Sequence, residues 1–380
     1  MTTDARYRSL DVLRGIAILG TLGTNVWIFT SGSGLVGYLE TLGTAQGGWG
    51  IAERVLQQLA QGKFLGLLTI MFGIGLAIQQ RSALRNNVRW PGRYPLRAAL
   101  LFVDGLLHFV LFTEFDVLMG YAITGLVVAY VLVTSERAQR RWMVCAAVVH
   151  VFLITAIAAA MLTLASSASG DPLSPNPYAD GSFWDLMVFR LDNALAFRAE
   201  TILILPMSIA LFLLGARLFR AGVLGEEGAV LRRRLLLVGL VAAPADFVVG
   251  MFGSSAGLIV SRYLLAPLVS LGILALVAQH YIGRSGMTFV TGRLSEIGRM
   301  ALSGYVLQNV VASTLCYGWG FGIAIGLDTG PLRVLGTVSV YIVTVVCVST
   351  FAHVWLRRYQ RGPIEWLWNY SFERIPLRTL

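Results

Sequence analysis

Residues 101–122 read LFVDGLLHFVLFTEFDVLMGYA, and four of them could move a proton. His108 follows Asp104 by one helical turn and precedes Glu114 and Asp116. Histidine titrates nearest neutrality, and a carboxylate beside it fixes its tautomer. The group reads as a general base with an orienting acid. The plain alternative is a histidine satisfied by a helix neighbour in a packed interior. A second group lies in RYRSLDVLRGIAILGTLGTNVWIF, residues 6–29, with Asp11 and Arg14 three apart and Asn25 near the far end. Asp11 suits the positive end of a helix, and Arg14 can pair with it or extend to water. The sharper reading is an anion site. Lys63, Glu200, Asp246 and Arg262 are further charges inside apolar runs. Ionisable groups there are costly and face the interior of a bundle. They point to one polar chamber, or to salt bridges such as Asp246 with Arg262.

The elements that must carry these residues are membrane helices. The chain has 380 residues, 56% hydrophobic and 13% charged, against about 25% charged for a soluble protein. Ten apolar segments approach the ~20 residues that cross a bilayer. They are 9–29, 62–80, 96–113, 116–134, 142–166, 200–219, 233–252, 256–281, 299–320 and 333–356. The expected fold is all-α, a single transmembrane domain over 1–380. Arginines crowd every second connection: Arg6 and Arg8, then Arg81, Arg85, Arg89, Arg93 and Arg97, then Arg137, Arg140 and Arg141. Arg217, Arg220, Arg232, Arg233 and Arg234 continue the series, followed by Arg284, Arg293 and Arg299, and by Arg357, Arg358 and Arg361. By the positive-inside rule, those connections and both termini face the cytoplasm. The net charge of +10 therefore speaks for topology and not for nucleic acid.

The alternate connections are poor in arginine. In 167–199, a proline-rich start gives way at 182–198 to an interfacial amphipathic helix with Phe183, Trp184, Met187 and Phe189. The 30–61 connection is glycine-rich and then amphipathic. The first apolar run is too long for a cleaved signal and reads as a retained helix. His150, His280 and His353 fall towards helix ends and read as structural. Cys145, Cys316 and Cys347 sit in apolar runs without metal-site spacing, so no metal is expected. Gly73 and Gly75 read as points of close helix approach.

The opening R-x-x-S-L-D-V-L-R-G-I-A-I-L-G with Asn25 resembles the first helix of the YeiB family. GKFLGLLTIMFGIGLA at 62–77 and GLLHFVLFTEFDVLMGYAITGL at 105–126 resemble two further segments of it. GRMALSGYVLQNVV…HVWLRRYQRGPIEWLWNY, within 298–370, resembles its C-terminal DUF418 domain. The resemblance divides the chain into a YeiB-like half, 1–220, and a DUF418-like half, 221–380. That family is grouped with transmembrane acyltransferases, including lysosomal heparan glucosaminide acetyltransferase and the acyltransferase-3 proteins. It implies a ten-helix bundle in the bacterial cytoplasmic membrane, passing acyl groups from cytoplasmic acyl-CoA to a hydroxyl or amine across the membrane.

On that resemblance Asn25 matches an asparagine of the heparan enzyme and is expected to bond the developing oxyanion. The histidine that follows it there has no counterpart in 30–61, which leaves His108 as the base, oriented by Asp104 or Asp116. Phe115 stands where the family usually has glycine. Arg14, with Asp11, and Arg81, Arg85 and Arg89 are expected at the CoA phosphates. Glu114, Lys63, Glu200, Asp246, Arg262 and Gln308 are assigned to a small-molecule, glycan or peptide acceptor. The resemblance also makes a homodimer an expectation. The alternative function is a proton-coupled transporter or exporter, with His108 and Asp116 as the relay.

Overall fold

The first apolar run forms α1, Arg8–Phe29, and it stops where Thr30–Ser31–Gly32–Ser33–Gly34 ends the apolar pattern. The computed structural model describes residues 8–163, 173–282, 286, 288–327 and 330–374. Arg6, Arg284 and the start of the 167–199 connection lie outside the described residues. All regular structure among the described residues is helical. After α1 come α2, Gly34–Thr41, α3, Gly47–Ala60, α4, Lys63–Arg85, α5, Tyr94–Leu111, α6, Leu118–Val131, and α7, Glu136–Thr163. Then follow α8, Phe183–Asp192, α9, Ala194–Leu203, α10, Leu205–Arg220, and α11, Ala229–Phe252. Next are α12, Ser255–Val260, one π turn at Ser261–Leu265, and α13, Ala266–Tyr281. The chain closes with α14, Phe289–Arg299, α15, Ala301–Cys316, α16, Gly330–Arg358, and α17, Pro363–Arg374.

Every one of the ten apolar segments falls on helix, but they differ in length. Among the described residues, seven stretches are long and apolar enough to cross a membrane, and α9 with α10 would make an eighth across a 41° bend at Ile204. α6 has 14 residues and α15 has 16, short of the ~20 needed. Both are mostly buried by other helices, so they need not meet lipid along their length. α7 and α16 do the opposite and turn large apolar side chains such as Val148, Phe152, Val346 and Val354 outward. That is the surface a lipid environment requires.

Two sets of contacts define the ends. At one end the arginine-rich connections bond to each other. Arg97 reaches Gln79, Gln80 reaches the Leu132 carbonyl, Arg220 reaches Gln139, and Arg299 reaches the Gln360 carbonyl. At the far end Asn176 bonds the Gly32 carbonyl, Tyr178 accepts from Gly318, and Arg333 bonds the Trp27 carbonyl. The predicted 182–198 helix is two: α8, begun by a capping box between Ser182 and Asp185, then α9 after Asn193. Hydrogen bonds from the Ser182 hydroxyl and N–H hold the exposed Asp185 carboxyl below the usual range.

α4 and α10 cross at their backbones. A Cβ at Gly73 would collide with the Phe212 carbonyl, and one at Gly215 with that of Ile70. Gly75 was expected to act likewise, yet nothing lies near its missing Cβ, which faces a cavity. Gly73→Leu should therefore lower stability in detergent by about 1–3 kcal/mol, read by thermal unfolding. Gly75→Ala should leave it unchanged or raise it by up to about 1 kcal/mol. Equal losses at both positions would contradict this packing.

Candidate active site

The last turn of α5 carries His108, and the chain then turns through 112–117 into α6. His108 and Asp116 are both buried, with His108 Nδ1 2.9 Å from Asp116 Oδ1. The second carboxylate oxygen accepts the backbone N–H of Leu118 at 2.9 Å and of Met119 at 3.3 Å. One side chain thus caps α6 and fixes the imidazole. Gly105 allows this, because a Cβ there would lie 3.0 Å from Asp116 Oδ2 and 2.6 Å from the Met119 nitrogen. A carboxylate only accepts, so Nδ1 carries a proton towards Asp116, and Nε2 is the nitrogen turned away from it. On the other side Nε2 meets the Asn309 side-chain amide at 3.1 Å, and Asn309 donates there.

Two arginines that the sequence reading passed over hold the turn. Arg190 of α8 is buried and donates from Nε to Glu114 at 3.2 Å. Its other nitrogens bond the carbonyls of Val110, Leu111 and Phe112, which α5 leaves unpaired at its end. Tyr178 donates to the other Glu114 oxygen at 2.6 Å. Arg198 of α9 bonds the carbonyls of Glu114 and Asp116 and lies over the Phe109 ring. Phe115 packs edge-on against Phe29 at 5.2 Å, so the residue that departs from the family pattern is locked into the α1 terminus. The available signal was charge: Arg190 and Arg198 stand in a connection otherwise expected to lack arginine.

The remaining candidates separate into clusters. Asp104 does not bond His108, and its Oδ2 is buried with no partner among the described residues. Asp246 pairs with Lys63 at 2.6 Å and also bonds Gln58 and Ser261. Arg262 pairs instead with Glu200 at 2.8 Å, and Tyr263 donates to the same carboxylate. The expected Asp246–Arg262 bridge is thus replaced by two others. The π turn is the cause: from adjacent positions it aims Ser261 at Asp246 and Arg262 at Glu200. These charges pair off in separate clusters, and beside the Lys63–Asp246 cluster Gln58 borders a polar space of about 270 Å³ with Arg54, Gln57 and Gln61. Around Asn25 there is room of only about 40 Å³, bordered by Thr21, Thr24, Glu200, Arg262 and Tyr305. Gln308 is fully buried with neither amide atom bonded among the described residues, while its neighbour Asn309 holds His108.

The larger space opens at the arginine-rich end. A cavity of about 390 Å³ lies between α1, α4, α5, α15 and α17. Arg14, Arg97 and Arg299 border it, and Ile18, Met71, Phe72 and Leu101 are among its apolar walls. Tyr305 and Leu118 also line it, and Tyr305 borders the small space around Asn25 as well. One tyrosine therefore separates the two, with its ring centre 5.1 Å from that of His108. Asp11 pairs with Arg14 at 3.3 Å but does not line the cavity. Arg81, Arg85 and Arg89 are exposed and do not line it either, whereas Arg97 and Arg299 do. α17 borders the cavity with Glu365, Trp368 and Phe372. Glu365 caps α15, accepting the N–H of Leu302 at 2.8 Å and of Ser303 at 3.3 Å.

Residues 218–372, which hold Tyr305, Asn309 and Glu365, match the DUF418 family, described as a protein of unknown function. The chain thus carries a segment similar to the DUF418 family. It is also similar to the uncharacterized protein YxaH of Bacillus subtilis (strain 168), 26% identical over 394 residues, covering 97% of this chain and 94% of that protein. The uncharacterized protein YeiB of Escherichia coli (strain K12) is 26% identical over 394 residues, covering 96% of this chain and 95% of its own. No solved structure matches the chain. The matched segment supplies α15 and α17, while the His108–Asp116 pair comes from the preceding half.

Two measurements check the site. Arg190→Met leaves Glu114 buried without its cation and should cost about 3–5 kcal/mol of stability. Adding Glu114→Gln should recover part of that loss, and no recovery would show that the pair is not the cause. In ¹⁵N-histidine spectra at neutral pH, His108 should carry its proton on Nδ1. A proton on Nε2 alone would contradict the assigned roles of Asp116 and Asn309.

Proposed function

We propose that this protein is a membrane acyltransferase that takes an acyl group from acyl-CoA at its arginine-rich face and delivers it to a hydroxyl or amine acceptor. The observation that carries the reading is the cavity: three arginines at its border, an apolar body, and Tyr305 against His108 at its inner limit. An anionic head on a long arm suits those walls. Arginine forks bind phosphates in pairs of hydrogen bonds, and an apolar bore suits a pantetheine arm and its acyl end. The open space at Gly75 leaves room for that arm.

In this proposal all ten apolar segments cross the bacterial cytoplasmic membrane, with α6 and α15 sheltered by their neighbours. The arginine-rich end and both termini face the cytoplasm. Arg14, Arg97 and Arg299 hold the CoA phosphates. His108 Nε2 takes the acceptor proton once the acceptor displaces the Asn309 amide, and Asp116 steadies the imidazolium that forms. The acceptor oxygen or nitrogen bonds the acyl carbon, the carbon–sulfur bond breaks, and the CoA thiolate leaves. Asn25, in the small space beyond Tyr305 and without a hydrogen bond among the described residues, is placed to donate to the oxyanion.

Calorimetry of the purified protein with acetyl-CoA and longer acyl-CoA, and with free CoA as control, tests the donor site. Saturable binding is expected, weakened about 10- to 100-fold by Arg299→Ala and blocked by Gly75→Leu, which fills the bore. His108→Ala should leave affinity nearly unchanged and lower transfer by about 10²- to 10⁴-fold. No binding by any acyl-CoA would end the acyltransferase reading and leave the proton-coupled transporter.

A further inference from the structure

A second cavity of about 380 Å³ lies at the arginine-rich end, away from the donor cavity. It forms where the first turns of α7 meet the last turns of α10. Arg137 and Arg140 come from α7, and Arg217 and Arg220 from α10. Glu136 is the only acid that lines it, which leaves an excess of three positive charges, four arginines less one glutamate. None of the four arginines lies within ion-pair distance of a carboxylate among the described residues. Arg220 is instead oriented by a 2.9 Å hydrogen bond to Gln139. Met143 and Leu213 add an apolar wall.

Topology alone asks only that arginines be present on this side of the bundle, as at Arg81, Arg85 and Arg89, which stand exposed and border none of the described cavities. Here two helices about 80 positions apart in sequence bring four arginines around one cavity. The surroundings identify the ligand. α7 has little of its surface covered by protein, and Val144, Val148 and Phe152 stand exposed along it. Trp142 is 49% exposed beside Arg140 and Arg141, an amphipathic ring of the kind that sits at headgroup level. A ligand here has a phosphate among the arginines and apolar chains along α7. We propose that this cleft binds the phosphate headgroup of an anionic phospholipid. Basic pockets between helix ends suit such headgroups. The site is independent of the donor cavity and of the acyl-transfer reading.

Native mass spectrometry of the full chain in detergent tests this, with phosphatidylglycerol or cardiolipin against phosphatidylcholine, and with inorganic pyrophosphate as a free phosphate source. Saturable binding of the anionic lipids over phosphatidylcholine is expected. Arg137→Gln with Arg217→Gln should weaken it about 30-fold. Both arginines are exposed, so the fold should survive. Glu136→Gln, which removes the opposing charge, should tighten binding, and Arg14→Gln in the donor cavity should not change it. Lipid binding unaltered in the double variant would overturn the proposal. So would displacement of the lipid by equimolar pyrophosphate, since the site would then serve a soluble phosphate.

Discussion

The structure depends on a constraint that lipid imposes: a polar group removed from water needs a partner inside the protein. At the far end of the bundle that demand is met by arginines. Arg190 reaches the last carbonyls of α5, and Arg333 reaches the Trp27 and Thr30 carbonyls at the end of α1. Each is also near a buried or half-buried carboxylate, Glu114 and Glu53. These buried side chains close the ends of α5 and α1. The turn that presents Asp116 to His108 stays in place because Arg190 and Arg198 occupy its carbonyls.

The same constraint explains how the buried charges are distributed. Charges on separate helices could have lined one aqueous space. They neutralise each other in separate clusters instead: Lys63 with Asp246, Arg262 with Glu200, Arg190 with Glu114. At the far end about 40 Å³ is left open beside Asn25 and about 270 Å³ between the 42–61 and 250–258 segments. The roomier of the described spaces are at the arginine-rich end, where Arg97 and Arg299 are exposed and bonded to Gln79 and the Gln360 carbonyl, and Arg14 is half-exposed beside Asp11.

Much of the helix order was legible in the sequence, since apolar runs of near-bilayer length leave little choice of element. His108 with Asp116 was legible too, because a histidine and a carboxylate bracket one short turn. Asn309 was not. It lies 201 positions from His108, and an asparagine in an apolar run does not name its partner. The exchange of partners between Asp246 and Arg262 was hidden for a related reason. A π turn has no firm sequence signature, yet one such turn redirects two side chains. Arg97 and Arg299 were hidden among many arginines of the same face, and only the tertiary fold distinguishes those that border a cavity from those in water.

Glu365 ties one side of the site to the C-terminal helix. His108 cannot shift alone, because Asp116, which holds it, also anchors the start of α6. Across the ring, Tyr305 and Asn309 belong to α15, whose first N–H groups are gripped by Glu365 on the C-terminal helix. That helix also places Phe372 beneath Arg97 at the border of the large cavity. The C-terminal helix is therefore joined through α15 to the tyrosine partition and to Asn309, while Asp116 ties the imidazole to α6. The last described helix is the handle of the site, held to α15 by the Glu365 carboxylate and by the Ile364 N–H on Ser303.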